Sequence, residues 1–132
     1  MNKKKKGCNA ERELVHLFWQ TGEWSACRIA GSGSSRYPSP DLLAGNNIRK
    51  LAIECKSVKG KSKYFEESEI EQLLTFANMF GAEAWLALKF NNKGWHFIPI
   101  EELRKTNNSY VISLADLDIK GVSFSDLIDF KS

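Results

Sequence analysis

Apolar positions recur along this chain in two periods, and the switches between them mark out the elements. Ala10, Leu14, Leu17 and Phe18 recur at helical spacing. They predict a helix from about Ala10 to Thr21, with Asn9 as its N-cap and Gly22 as the residue that ends it. Residues 24–30 read as a short strand. Residues 41–44 and 48–56 predict a strand pair joined at Gly45-Asn46-Asn47, residue types that tolerate positive φ. Side chains alternate along a strand, so Leu51, Ile53 and Cys55 take one face while Ala52, Glu54 and Lys56 take the other. Residues 57–65 read as a basic loop ending in aromatics. Ser68-x-x-Glu71 predicts a capping box for a second helix that Gly81 closes. Its apolar stripe is Ile70, Leu73, Leu74 and Ala77, and Phe76 and Phe80 widen it. The apolar runs 84–90 and 95–98 predict two more strands around a turn at 91–94. Beyond Glu101 the elements are short.

Charge changes this picture more than composition does. Residues 1–65 hold 13 Lys and Arg against 5 Asp and Glu, whereas residues 66–132 hold 6 against 11. At 132 residues the chain reads as one domain, so the split predicts one basic face, suited to a polyanion. Lys3–Lys6 read as a flexible basic tail. No apolar region follows them, so they are not a secretory signal. No apolar run reaches the roughly 18 residues that span a bilayer, and the protein is expected inside the cell. Cys8, Cys27 and Cys55 form no CxxC pair, and neither His16 nor His96 stands at a zinc spacing from them, so three reduced, partly buried cysteines are expected. His96 reads as a hydrogen-bonded sheet residue, and Asp116, Asp118, Asp126 and Asp129 as a solvated face. The stretch Gly31–Tyr37 lacks GxxxxGK[ST], which argues against a nucleotide cofactor. Flanked by Arg28 and ending near Arg36, it is either a connector or a flap beside a phosphate backbone.

The candidate chemistry lies in Pro40–Lys56. Phosphodiester hydrolysis needs a positioned water and relief of the charge that builds on phosphate, and a hard divalent cation on carboxylates supplies both. Mg²⁺ takes one or two carboxylates and keeps several waters. Asp41 and Glu54 supply two if their strands pair, and the Cys55 carbonyl is a further candidate ligand. Lys56, on the Glu54 face, can orient the water or stabilise the developing charge. Glu11 borders the apolar stripe of the first helix, where it either forms a rim ion pair or reaches into the cleft. Arg12, Arg28 and the lysines of the basic loop, Lys59, Lys61 and Lys63, suit phosphates. An isolated Asp…Glu-x-Lys fits a surface ion pair as well as a metal site. Here the Glu-x-Lys ends an apolar strand and the Asp follows a proline.

Pro40-Asp41 and Glu54-Cys55-Lys56 match the PD-(D/E)xK nuclease pattern. With Glu11-Arg12-Glu13-Leu14-Val15, Ala30-Gly31-Ser32-Gly33, Pro40–Ala44, Ile53–Ser57, Gln72-Leu73 and Phe76-Ala77…Phe80-Gly81, the chain resembles the archaeal Holliday junction resolvase family over about residues 7–98. The resemblance implies an α/β, restriction-endonuclease-like fold: a mixed central β-sheet flanked by helices, in a single compact domain. It implies a homodimeric endonuclease, dependent on Mg²⁺ with Mn²⁺ as a substitute, that nicks opposed strands of a four-way DNA junction. Glu11, Asp41, Glu54 and Lys56 would be catalytic, with the three acids around the metal. Ser32 would assist from the flap, Arg12 and Arg28 would bind DNA, and Phe76 and Phe80 would lie at the dimer interface. Two alternatives stand beside this: a nuclease of the same fold acting on flaps, mismatches or duplex, and a non-catalytic DNA-binding paralogue.

Overall fold

The computed structural model describes residues 3–31, 36–91 and 93–129, with residues 3–8 as backbone alone. Helix α1 (Lys3–Gln20) precedes strands β1 (Ser25–Arg28), β2 (Leu42–Gly45), β3 (Lys50–Val58) and β4 (Ser62–Glu66). Helix α2 (Glu67–Phe80) then leads to β5 (Glu83–Phe90) and β6 (Trp95–Pro99). A 3-10 turn at Ile100–Glu102 is followed by β7 (Arg104–Lys105), β8 (Ser109–Ser113), α3 (Leu114–Lys120) and α4 (Phe124–Asp129). The central sheet runs β1-β2-β3-β5-β6, and a smaller sheet runs β4-β8-β7. Only the β3–β5 pair of the central sheet is parallel. Parallel neighbours need a long crossover, and β4 with α2 supplies it. This is the mixed, helix-flanked sheet that the family resemblance implied.

Strand β3 lies at the centre and is buried on both faces through Ile53. Its Ala52 joins Leu86, Leu88, Ile70, Leu73 and Ala77 in a core under α2. Its Leu51 and Ile53 join Trp85, Ala87, Leu14 and Phe18 in a core under α1. The expected alternation therefore holds, and it carries Glu54 and Lys56 to the α2 face. No described helix is long and apolar enough to cross a membrane.

Several boundaries differ from expectation. Helix α1 starts at Lys3, not near Ala10, so Lys3–Lys6 form its first turn instead of a flexible tail. Lysine is a good helix former, which lets the helix run on. Asn9 lies inside it, where its side-chain oxygen accepts a bond from Arg12 at 3.4 Å. The β2–β3 turn uses no positive φ at Gly45, Asn46 or Asn47. The Asn46 side chain closes it instead, accepting the N–H groups of Ile48 at 2.9 Å and Arg49 at 2.6 Å. Helix α2 begins at Glu67, and the carboxylate that reaches back is Glu69, accepting the Glu66 N–H at 3.2 Å. Gly81 ends it as expected, at φ 83°. Only residues 59–61 of the stretch 57–65 form a connection; 57–58 end β3, and β4 pairs with β8 and buries Phe65. That pairing partner lies more than forty residues away, beyond the reach of a local pattern. His96 sits in β6 as predicted, but its buried Nδ1 has no hydrogen-bond partner among the described residues.

At the end of the sheet remote from Glu54, Arg49 ties the C-terminal helix to the body. Its guanidinium holds Glu83 through two bonds of 2.8 and 3.0 Å and donates to the Leu127 carbonyl at 2.7 Å. It also lies over the Trp24 ring. Arg49→Met keeps the stem but removes the cation paired with half-buried Glu83 and the donor to a helix carbonyl. It should cost about 2 kcal/mol of unfolding free energy. Urea unfolding checks this, and an unchanged midpoint would mean that α4 docks without Arg49.

Candidate active site

The end of β1 and the start of β2 meet the middle of β3 at Asp41. The β2–β3 register pairs Leu42 with Ile53, so Asp41, one residue earlier, stands opposite Glu54. Its carbonyl accepts the Ile29 N–H at 2.9 Å, just past the end of β1, and its Oδ2 accepts the Cys55 N–H at 2.9 Å. Proline has no N–H for a ladder, so pairing begins after buried Pro40. The Asp41 carboxylate is thereby fixed at the mouth of the sheet.

The electrostatics around it are those of acids crowded in a poorly hydrated place. Burial, then the charge of Asp41, pushes the Glu54 carboxyl up to about 8, against the pull of Lys56. Burial and Asp41 also raise Glu11 on α1, while Arg28 works the other way, its Nε donating to Glu11 Oε1 at 3.2 Å. Lys56 points to the α2 face, with Nζ 3.6 Å from Glu69 Oε1. The Cys55 side chain packs against the α1 core instead, and burial keeps its thiol protonated.

The expected site residues fall into three groups. Asp41, Glu54, Lys56 and Glu11 share one electrostatic neighbourhood. The acids do not form a closed cage, however: no three His, Cys, Asp or Glu side chains among the described residues are grouped to hold one ion. Glu11 is engaged by Arg28, which leaves the pair Asp41 and Glu54. That pair fits a hard cation in its chemistry, because Mg²⁺ needs only one or two carboxylates, and a carboxyl held up by a like charge is relieved when a cation arrives. Exposed cations form a second group. Arg12, Lys59 and Lys61 are exposed, Arg36 is exposed beside the Tyr37 ring, and half-buried Lys63 lies over Phe65. Phe76 and Phe80 form the third, stacked 5.2 Å apart on α2, with Phe80 half exposed and Met79 beside it exposed. Ser32 lies outside the described residues, as does the Cys8 side chain. Cys27 and Cys55 are free cysteines.

Sequence reasoning missed Glu69. Its signal was an acid in the first turn of the helix that crosses over from β3, set to face a lysine at the end of that strand.

Residues 2–132 match the family described as archaeal Holliday junction resolvase (Hjc). The chain belongs to this family. It is 46% identical over 109 residues to the crossover junction endodeoxyribonuclease Hjc of Archaeoglobus fulgidus, covering 83% of this chain and 79% of that one. It is 35% identical over 130 residues to the Hjc of Methanocaldococcus jannaschii, covering 98% and 86%. The solved structure of the A. fulgidus Hjc, described as a Holliday junction resolvase from an archaeal hyperthermophile, superposes with a TM-score of 0.85 at 40% identity. That match covers 92% of this chain and 97% of that one. The family match takes in the C-terminal segment, where the sequence motifs are least diagnostic.

Proposed function

We propose that this chain is a structure-selective endonuclease that resolves four-way DNA junctions by two symmetric nicks, working as a homodimer with Mg²⁺, or Mn²⁺ in its place. The observation that carries the reading is the meeting of Asp41 and Glu54 across β2 and β3 beside Lys56, in a member of the archaeal resolvase family.

Asp41 and Glu54 would hold the ion, with the Cys55 carbonyl as a further ligand and Glu11, engaged by Arg28, contributing through water. Bound there, it would supply Lewis-acid relief of phosphate charge and a more acidic water. The chain's own residues do the rest. Lys56 places an ammonium on the Glu54 face to orient the attacking water or stabilise the charge that forms. Arg28, fixed by Glu11, and Arg12 beside it on α1 hold phosphates near the cut. Arg36, Lys59, Lys61 and Lys63 extend the basic surface along the DNA arms, and Ser32 assists from the flap. Such contacts position the duplex without reading bases, so branched DNA is chosen by its shape and phosphate spacing.

One subunit carries one site and makes one nick. Paired nicks need a two-fold partner, and an isologous contact supplies the symmetry. The apolar groove of Tyr37, Pro38, Thr75, Phe76, Met79 and Phe80 supports such a contact.

A cleavage assay with four-way, flap and linear substrates in Mg²⁺ tests the reading. The four-way junction should be cut by far the fastest, in paired opposed nicks. Its affinity should fall linearly on a log–log plot against salt, with a slope of about −0.9 for each phosphate neutralised. Preferential cutting of linear duplex would refute the resolvase reading. A monomeric mass at micromolar concentration would refute the paired-nick mechanism.

A further inference from the structure

The Lys56 ammonium faces an unfavourable neighbour. The first turn of α2, where Glu69 sits, carries the positive end of the helix dipole. A lysine also hangs on a flexible four-carbon stem, so a defined position needs an anchor. Glu69 supplies one with both oxygens. Oε1 lies 3.6 Å from Lys56 Nζ, and Oε2 accepts the Glu66 N–H at 3.2 Å. The anchor is rigid because the next residue, Ile70, is buried in the core under α2. The other acids of that turn are used elsewhere or exposed. Glu67 pairs with Lys105 of the small sheet at 3.4 Å, and the Glu66 and Glu71 side chains are exposed.

We infer that Glu69 is the positioning residue for Lys56: one carboxylate holds the ammonium beside Glu54 and caps the helix behind it. The inference rests on Lys56 acting in cleavage. With side chains 31% and 38% exposed, the ion pair adds little to stability. Its effect is on where the charge stands. It also links the active site to α2, the helix that carries Phe76 and Phe80 at its other end.

Three variants separate positioning from capping. Glu69→Gln keeps an oxygen for the Glu66 N–H and removes the charge, Glu69→Ala removes both, and Lys56→Gln tests the underlying reading. The measurements are single-turnover cleavage of a saturating four-way junction in Mg²⁺, junction affinity without metal, and the melting temperature of the metal-free protein. Both Glu69 variants should cut about tenfold or more slowly, with junction affinity no weaker than wild type. The Gln variant should melt with wild type and the Ala variant about 3 °C lower. A Gln variant that cuts at the wild-type rate or faster overturns the inference, leaving Glu69 as a cap or as a brake on the lysine. Junction affinity that falls in step with rate also overturns it. Undiminished cleavage by Lys56→Gln refutes the reading of Lys56 itself, whatever the Glu69 variants do.

Discussion

Asp41→Asn should leave the four-way junction bound and uncut. The amide keeps an oxygen that can accept the Cys55 N–H, so the 2.9 Å bond that joins the end of β2 to β3 can survive and the fold with it. What goes is the charge that the site is organised around. Asp41 is the group whose charge raises both Glu54 and Glu11, second only to burial in each case. A neutral residue there makes its neighbours easier to ionise and removes half of the two-carboxylate set that would hold the ion. The single-turnover rate should fall by at least about 10³-fold. Junction affinity in the absence of metal should stay level or tighten, since a negative charge near phosphate has been removed. Both are read from one preparation, by a gel shift without metal and a cleavage time course with it. Wild-type cleavage by this variant would remove Asp41 from the metal site. Loss of binding with loss of cleavage would assign it to DNA contact instead.

What could be read in advance divides by distance along the chain. The β3 alternation was legible because it is a local rule: Glu54 and Lys56 had to share a face once Leu51 and Ile53 were buried together. The Asp41–Glu54 pairing was legible because the two strands are joined by a short turn, which leaves few registers open. The helix ends were less so. Glu66, Glu67, Ser68, Glu69 and Glu71 offer several plausible caps, and the choice of Glu66 with Glu69 depends on where β4 lets the chain turn. Strand β4 itself was hidden, because its partner β8 is remote and the lysines at and just before it, Lys59, Lys61 and Lys63, resemble a solvated loop. Glu11 shows the limit for the site. Its place on α1 allowed a rim or a cleft position, and only the packing of α1 on β1 brings Arg28 to it. Glu69 went unnoticed because its partner Lys56 belongs to another element.

Glu54→Gln should make the metal-free protein more stable at pH 8 and hardly change it at pH 5. The sign follows from proton counting. Glu54 ionises near 4.5 when it is free of its neighbours and near 8 in the fold. Between those values the folded protein keeps a proton that the unfolded chain has lost. Stability contributed by the protonated form is therefore complete below about pH 4.5 and declines as pH rises towards 8. At pH 8 the wild-type protein bears a strain that the amide does not, worth about 3 kcal/mol at 1.36 kcal/mol per pK unit with part of the shift discounted for relaxation. Urea unfolding in chelator at the two pH values should show a gap between variant and wild type at pH 8 that closes at pH 5. Excess Mg²⁺ at pH 8 should raise the wild-type midpoint and leave that of the variant nearly unmoved, because an ion that binds the folded state stabilises it by mass action. A wild-type midpoint that Mg²⁺ does not shift would argue against Glu54 as a ligand. A gap equal at both pH values would mean that Glu54 is not the strained acid. The same strain that costs the empty protein stability is what would draw a cation to it, so in this chain the acid least suited to its surroundings would mark where the chemistry is done.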